Sequence, residues 1–262
     1  MIRAGGWALV TGASGGIGEQ FARQLAGRAV NLVLVARRQE RLTALADELE
    51  AAHPGLSARV VVADLSSGDA PAAVADELER SGITVELLVN NAGVGSLRRF
   101  VDEDQDAVLR AIQLNCVSLV ALTSRLLPGM LTRNRGGLIN VASTAAFQPI
   151  PTMAVYAASK AFVLSFTEAL WGETKDSAVR VLALCPGPTE TQFFATASAE
   201  QRFLTRGRQT PDRVVAGALR AYESGRGPVF IPGNSNRMFA SAYRFLPRRA
   251  MVRVTERAVR PE

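Results

Sequence analysis

Short apolar runs and helix-forming stretches alternate along this chain, and that alternation constrains its fold more than any single motif. Residues 7–10 form an apolar run that ends at Thr11-Gly12. A helical stretch follows over about 16–28. Residues 31–36 read as a strand of the fully buried type, after which Leu42, Leu45 and Leu49 mark one face of a helix. Residues 59–63 give a third strand, Val74 and Leu78 a third helix, and 87–89 a fourth strand. A long helical region is expected over about 104–127, stopping near Pro128-Gly129. Strands at 137–141 and 179–184 flank a helix at about 155–174. Thr210-Pro211-Asp212 reads as an N-cap with proline at the first helical position. That helix runs to about Ser224, and 228–231 form a short last strand. Continuous apolar strands alternating with helices imply a parallel sheet covered on both faces. The expected class is therefore α/β: a doubly wound, Rossmann-like sheet of about seven strands with helices on both faces, binding ligands at the carboxyl ends of its strands. No repeat, low-complexity tract or linker divides the chain. Residues 1–233 read as one domain, with 234–262 as a basic amphipathic extension of it.

Composition removes several kinds of chemistry. With 48% hydrophobic and 21% charged residues, the chain reads as globular and neither disordered nor fibrous. His53 is the only histidine, and it precedes Pro54 in a turn that ends a helix. Ser-His-Asp hydrolysis and histidine-rich metal sites are therefore excluded, and no metal site is expected. Cys116 and Cys185 give no disulfide framework and read as small buried side chains. A cytoplasmic setting is the default: residues 1–6 show no separate apolar segment with a cleavage site, and no run of eighteen apolar residues calls for a spanning helix. The net charge is +6. Residues 237–262 carry Arg237, Arg244, Arg248, Arg249, Arg253, Arg257 and Arg260 against Glu256 and Glu262. The rest of the chain is thus close to neutral, and the basic balance is no signal for nucleic acid.

Tyr156 and Lys160 stand one helical turn apart in Tyr156-Ala157-Ala158-Ser159-Lys160. Residues at i and i+4 share a helix face. A free tyrosine, with a pKa of about 10, is a poor acid or base at neutral pH, and a neighbouring cation favours its phenolate. Of 30 Lys+Arg residues, only Lys160 and Lys175 are lysine. A lysine placed here, in a chain that otherwise uses arginine, points to chemistry, since an ammonium is a compact donor able to reach a hydroxyl and tune it. Between the first strand and first helix, Thr11-Gly12-Ala13-Ser14-Gly15-Gly16-Ile17-Gly18 supplies glycines that let backbone N–H groups approach a diphosphate at a helix N-terminus.

These segments together resemble the short-chain dehydrogenase/reductase family. The glycine loop is similar to its TGxxxGxG motif, Asn90-Asn91-Ala92-Gly93 to its NNAG, and Pro186-Gly187 to its PG; Asn115, Ser143, Tyr156 and Lys160 fall at the places of its catalytic tetrad. The matches run in family order from 11 to about 191. The resemblance implies an oxidoreductase that interconverts a carbonyl and an alcohol with a nicotinamide cofactor. Tyr156 would be the general acid/base. Lys160 would lower its pKa and hold the nicotinamide ribose, Ser143 would orient the substrate oxygen, and Asn115 would hold a water for proton return. Gly12, Ser14, Gly16, Ile17, Gly18, Asn91, Ala92 and Gly93 would bind cofactor, with Asp64 and Leu65 at the adenine and Pro186, Gly187, Thr189 and Thr191 near the nicotinamide. Thr189 departs mildly from the family, which is often aliphatic there.

The second strand ends in Ala36-Arg37-Arg38, with no acidic residue before Glu40. An acid there would bind the 2′-hydroxyl of NAD. Two arginines suit a 2′-phosphate by charge and bidentate geometry, so the expected cofactor is NADP(H), with Arg37 favoured over Arg38. The segment after Thr191, with Phe193, Phe194, Phe203 and Leu204, is expected to close the substrate pocket, with Phe147 and Ile150 nearby. These fit a lipophilic carbonyl or alcohol substrate, and equally a lid packed on the body.

In the tail, Met238, Phe239, Ala242, Tyr243 and Leu246 give one apolar helical face. Beyond Pro247, Arg249, Arg253 and Arg257 recur every four residues, with Met251, Val254 and Ala258 elsewhere. Such a segment either lies on an anionic membrane surface, as peripheral contact, or packs on protein. Amphipathicity is shared by soluble helices, so packing is favoured. A homodimer or homotetramer through the long helices is expected by analogy. A non-redox nucleotide-binding regulator is the alternative from another class, and the complete tetrad argues against it. A lyase or dehalogenase on the same scaffold is a third reading, opposed by Lys160 and the glycines.

Overall fold

The sheet is built first from residues with nowhere else to go. Ala8, Leu9 and Val10 are wholly buried, as are Leu32 to Val35 and Leu87 to Val89, and each such Leu or Val contributes about 1.5–3 kcal/mol by leaving water. The structure, a computed structural model, describes residues 2–190, 208–242 and 245–259. Thr191, Phe193, Phe194, Phe203, Leu204 and Tyr243 lie outside the described residues, as do the side chains of Ala242 and Ala258.

In chain order the described elements are β1 (Trp7–Thr11), α1 (Gly16–Ala26), β2 (Asn31–Ala36), α2 (Gln39–Ala52), β3 (Ala58–Val62), α3 (Ala70–Arg80), β4 (Val85–Asn90), α4 (Gln105–Ile112), α5 (Ser118–Thr132), β5 (Gly137–Val141), α6 (Ala154–Glu173), β6 (Arg180–Leu184), α7 (Pro211–Ser224), β7 (Val229–Phe230), α8 (Asn234–Ala242) and α9 (Arg248–Val259). Seven parallel strands follow the order β3-β2-β1-β4-β5-β6-β7. This is the expected doubly wound Rossmann-like sheet. The strand order reverses between β1 and β4, so the loops after these two strands open a crevice at the carboxyl edge of the sheet. One face is filled by Phe21, Leu25, Leu42, Val214 and Leu219, the other by Val74, Leu78, Leu122, Met130 and Leu170.

Two features differ from the expected pattern. The helix expected to stop near Pro128 runs on to Thr132 with Pro128 inside it. Proline removes one backbone donor, but Leu127 and Met130 are buried in the core, and their packing holds the helix past the gap. Between α4 and α5 the chain makes one π-helical turn, Gln113–Val117. The whole of 105–132 is long and apolar enough to cross a bilayer by length and composition, which a count of uninterrupted apolar residues does not flag. Here it lies against the sheet through Leu122, Leu127 and Met130.

The tail also departs from its expected periodicity. Helix α8 ends at Ala242, Met238 and Leu246 are exposed, and among the described residues of this stretch Ala240 is buried. Helix α9 buries Met251, Thr255 and Val259 on one face. The favoured packing of the tail on the body is therefore what this helix does.

Candidate active site

The loops after β1 and β4 are stitched together at the crevice. Backbone N–H groups of Asn91 and Ala92 both donate to Thr11 Oγ1 at 2.9 Å, and Asn91 Nδ2 donates to the Thr11 carbonyl at 2.9 Å. This close approach requires glycine. A Cβ on Gly12, whose φ is +67°, would lie 2.7 Å from Asn91 Nδ2, and one on Gly18 would lie 2.3 Å from the Gly12 carbonyl oxygen. Helix α1 starts from Gly15 with no side-chain cap, so its first N–H groups face the crevice without a side-chain acceptor. That arrangement fits an anionic diphosphate at a helix N-terminus.

Arg38 lies across this loop. Its Nη2 donates to the Ser14 carbonyl at 2.9 Å and to Ser14 Oγ at 3.0 Å. Partial burial, then the charges of Arg41 and Arg37, hold its pKa below the usual arginine value. Arg37, favoured from the sequence, is well exposed and lies 4.0 Å from Asp64 Oδ2. Asp64 is also held by Ser66, whose hydroxyl donates to it at 2.7 Å. Leu65 is buried, with its carbonyl accepting from Ser118 Oγ at 2.5 Å. A cavity of about 1720 Å³ joins these groups to the far end of the crevice, and Ser14, Gly16, Ile17, Arg37, Arg38, Arg41, Asp64 and Leu65 line it. Pockets for a single drug-sized ligand run to roughly 1,000 Å³, so this one has room for a dinucleotide and a second molecule.

Ser143, Tyr156 and Lys160 line the same cavity. Ser143 follows β5, and its hydroxyl hydrogen-bonds to Tyr156 and accepts from the Ala145 N–H at 3.0 Å. The Thr144 N–H donates to the Pro186 carbonyl at 2.9 Å, fixing the end of β5 to the Pro186-Gly187 turn. Tyr156 and Lys160 sit on one face of α6, both buried. Lys160 Nζ donates to the Val141 carbonyl at 2.7 Å and lies 5.9 Å from the Tyr156 ring centre. Burial pushes the Tyr156 hydroxyl up to about 12, against the pull of Ser143. Burial pulls Lys160 down to about 8. Lys160 was expected to lower the tyrosine pKa. Burial is the largest influence on the tyrosine, followed by its bond to Ser143, and the Lys160 ammonium donates to the Val141 carbonyl.

Asn115 occupies the π-helical turn. Its Oδ1 accepts from the Val94 N–H at 2.9 Å, and its Nδ2 donates to the Val94 carbonyl at 2.9 Å and Ser159 Oγ at 3.0 Å. A Cβ on Gly93 would lie 3.1 Å from Asn115 Oδ1 and 3.3 Å from Lys160 Nζ. Gly93 therefore lets Asn115 and Lys160 come close to the same backbone atom. The π turn explains how a helical residue reaches a loop, and such bulges recur at functional sites. Gly187 leaves room for the Asn236 amide, since a Cβ there would lie 2.5 Å from Asn236 Nδ2 and would displace it. Thr189 is buried and donates to the Gly187 carbonyl at 3.0 Å.

Of the two candidate pocket residues between Ser143 and Tyr156, Ile150 lines the cavity, whereas Phe147 packs with Val163 and Ala183 behind it. Several lining residues carry no motif: Gln148, Asn236, Met238, Phe239, Thr255 and Val259. The inward spacing Met251, Thr255, Val259 is a helical signal, but the threonine hides it from a search for apolar residues. Below the site, Asn90 Nδ2 donates to Asn140 Oδ1 at 2.9 Å, and Asn140 Nδ2 to Thr167 Oγ1 at 3.0 Å. These buried bonds lock β4, β5 and α6 in register.

The family described as short chain dehydrogenase matches residues 6–202. A very-long-chain 3-oxoacyl-CoA reductase of Mycosarcoma maydis is 35% identical over 228 residues, which are 86% of this chain and 64% of that protein. The chain thus spans a little under two thirds of that relative. Human 17-beta-hydroxysteroid dehydrogenase type 3 is 34% identical over 202 residues, 76% of this chain and 62% of the human one. A solved short-chain dehydrogenase from Sphingobium yanoikuyae in complex with NADPH superposes with a TM-score of 0.82 at 32% identity, over 90% of this chain and 92% of the other. A 7beta-hydroxysteroid dehydrogenase structure gives a TM-score of 0.87 at 26% identity, over 97% of both chains.

Proposed function

Because the chain belongs to the short-chain dehydrogenase family of oxidoreductases, we propose that it is an NADP(H)-dependent enzyme interconverting a lipophilic carbonyl compound and its alcohol. The carrying observation is one cavity with a cationic, glycine-cradled end at Arg38 and Ser14 and a proton-donating end at Tyr156 and Ser143. The glycines, uncapped α1 N-terminus and Arg37, Arg38 and Arg41 would hold the diphosphate and 2′-phosphate. The bound nicotinamide supplies or accepts the hydride.

The protein's own part is proton handling and orientation. Tyr156 is protonated at neutral pH, with its hydroxyl bonded to Ser143, and would give that proton to the carbonyl oxygen in reduction. Ser143, bonded to the same hydroxyl, would fix the substrate oxygen beside it. Lys160, with a pKa lowered to about 8, exchanges a proton near neutral pH. Asn115, beside Gly93, would anchor the path that returns a proton to it. Thr189 and Gly187 shape the nicotinamide end.

Ile150, Met153, Val155, Phe239 and Val259 give the substrate end an apolar lining. This supports a chain or ring substrate, such as those in the names of the 3-oxoacyl-CoA reductase and hydroxysteroid dehydrogenase relatives. The test follows NADPH absorbance with 3-oxoacyl thioesters, ketosteroids and simple ketones, with NADH in parallel. Turnover with none of them would leave the non-redox nucleotide-binding reading in its place.

Two assembly readings go with this one. Phe162 and Val117 are exposed beside an apolar groove between α4–α5 and α6, which favours pairing with a second copy. Light scattering checks it, since Phe162→Arg should lower the measured mass. The outer side of the tail carries exposed Phe245, Leu246, Val252 and Val254 among Arg248, Arg249 and Arg253. This favours peripheral contact with an anionic, cytoplasm-facing bilayer. Sedimentation with phosphatidylserine vesicles checks it, and the doubly substituted Arg249→Glu, Arg253→Glu protein should stay in solution.

A further inference from the structure

One wall of the substrate end of the cavity comes from the far C-terminus of the chain. Met251, Thr255 and Val259 point inward from α9 at helical spacing, each 2% exposed. Thr255 and Val259 line the cavity that Ser143 and Tyr156 also line. Val259 packs in one apolar cluster with Ala145, Ile150, Met153, Tyr156 and Ala157. Its neighbours are thus the segment between Ser143 and Tyr156 and the catalytic ring itself. Thr255 Oγ1 lies within hydrogen-bond distance of the Pro149 carbonyl at 2.8 Å, which ties the helix to this segment, and of the Met251 carbonyl of its own helix at 2.9 Å, so one hydroxyl proton serves both. Pro149 lies in that same segment. The arginine face of α9, with Arg249 and Arg253, is turned to solvent, so the two faces have separate tasks.

We propose that Val259 is a specificity-determining residue, setting the room beside the carbonyl carbon that Tyr156 serves, and that Thr255 is the positioning residue that holds it there. The proposal rests on the carbonyl–alcohol reading of the site and adds to it the element that sets substrate bulk. In an apolar pocket, one methylene more or less changes selectivity by about 10–200-fold. Val259 shares its apolar cluster with Tyr156 and is the last residue of α9. Its size can therefore change without disturbing the cofactor end of the crevice.

The test compares acetophenone with isobutyrophenone, which differ only in the bulk next to the carbonyl. Val259→Ala should raise kcat/KM for isobutyrophenone relative to acetophenone by about tenfold, and Val259→Phe should lower it by a similar factor. The Kd for NADPH should stay within about twofold in both. Thr255→Val should shift the ratio as Val259→Ala does, whereas Thr255→Ser, which keeps the hydroxyl, should restore it. If Val259→Ala and Val259→Phe leave the ratio unchanged, the assignment is overturned. If the wild-type protein reduces neither ketone, the functional reading is at fault, and binding of 1-anilinonaphthalene-8-sulfonate decides the role of Val259. Binding about tenfold weaker in Val259→Phe supports the wall, and equal affinity overturns it.

Discussion

Lys160 and Tyr156 share a buried face of α6, yet the ammonium lies 5.9 Å from the ring centre and donates to the Val141 carbonyl at 2.7 Å. The pair is therefore two groups desolvated side by side, with pKa values moved in opposite senses. Burial disfavours whichever form is charged, the phenolate in one case and the ammonium in the other.

This geometry predicts a pH signature in the protein without added nucleotide. The folded pKa of Lys160 is about 8, below its ordinary value of 10.5. Between those values the unfolded chain binds more protons, so stability rises with pH. Above pH 10 the raised Tyr156 acts in the opposite direction, which bounds the useful window at pH 8 to 10. Urea unfolding should show the wild-type protein gaining roughly 2 kcal/mol on Lys160→Met across this window, at 1.36 kcal/mol per pKa unit. Parallel stability curves for the two proteins would remove the desolvation argument.

Cofactor selection should depend more on Arg38 than on Arg37. Arg38 already lies over the loop, bonded to Ser14, whereas Arg37 is exposed and leans toward Asp64. Charge-assisted bonds to phosphate are worth about 1.5–3 kcal/mol. Arg38→Ala should thus lower the NADPH-to-NADH ratio of kcat/KM by about 10–100-fold, and Arg37→Ala by less. Equal ratios in Arg38→Ala and wild type would contradict the assignment of the 2′-phosphate site.

The glycine loop allows a sterically defined test. A methyl group on Gly18 would sit 2.3 Å from the Gly12 carbonyl oxygen and 2.5 Å from Asn91 Nδ2. Both are firmly held, so the loop must move. Gly18→Ala should fold, with a lower Tm, and lose NADPH affinity by more than about tenfold, since backbone approach to the diphosphate depends on this packing. Native NADPH affinity in a calorimetric titration would show that the cradle is not the diphosphate site.

The sequence made the sheet and crevice readable because fully buried strands are continuous apolar runs and Gly12, Gly16 and Gly18 fall between strand and helix. The Tyr156–Lys160 pair was readable for a similar reason, since i,i+4 spacing translates directly into a shared face. The π turn at Asn115 was hidden, because no residue pattern distinguishes one wide turn inside a long helix. The course of the chain past Pro128 was hidden too, since burial of Met130 overrides a local breaker. The bond that holds Arg38 over the loop depends on how the end of β2 meets Ser14, a tertiary distance. The wall at Val259 depends on where the last helix returns to the body, and Thr255 interrupts the apolar signal that would have marked it.

The most direct test of the whole account is the single-turnover rate of Tyr156→Phe with NADPH and a ketone that the wild-type protein reduces. The variant loses only the hydroxyl held by Ser143. The account predicts that NADPH affinity stays within a few-fold of wild type while the rate falls by at least about 100-fold, the contribution expected of a positioned general acid. A variant that binds NADPH normally and turns over at the wild-type rate would contradict the account at its centre.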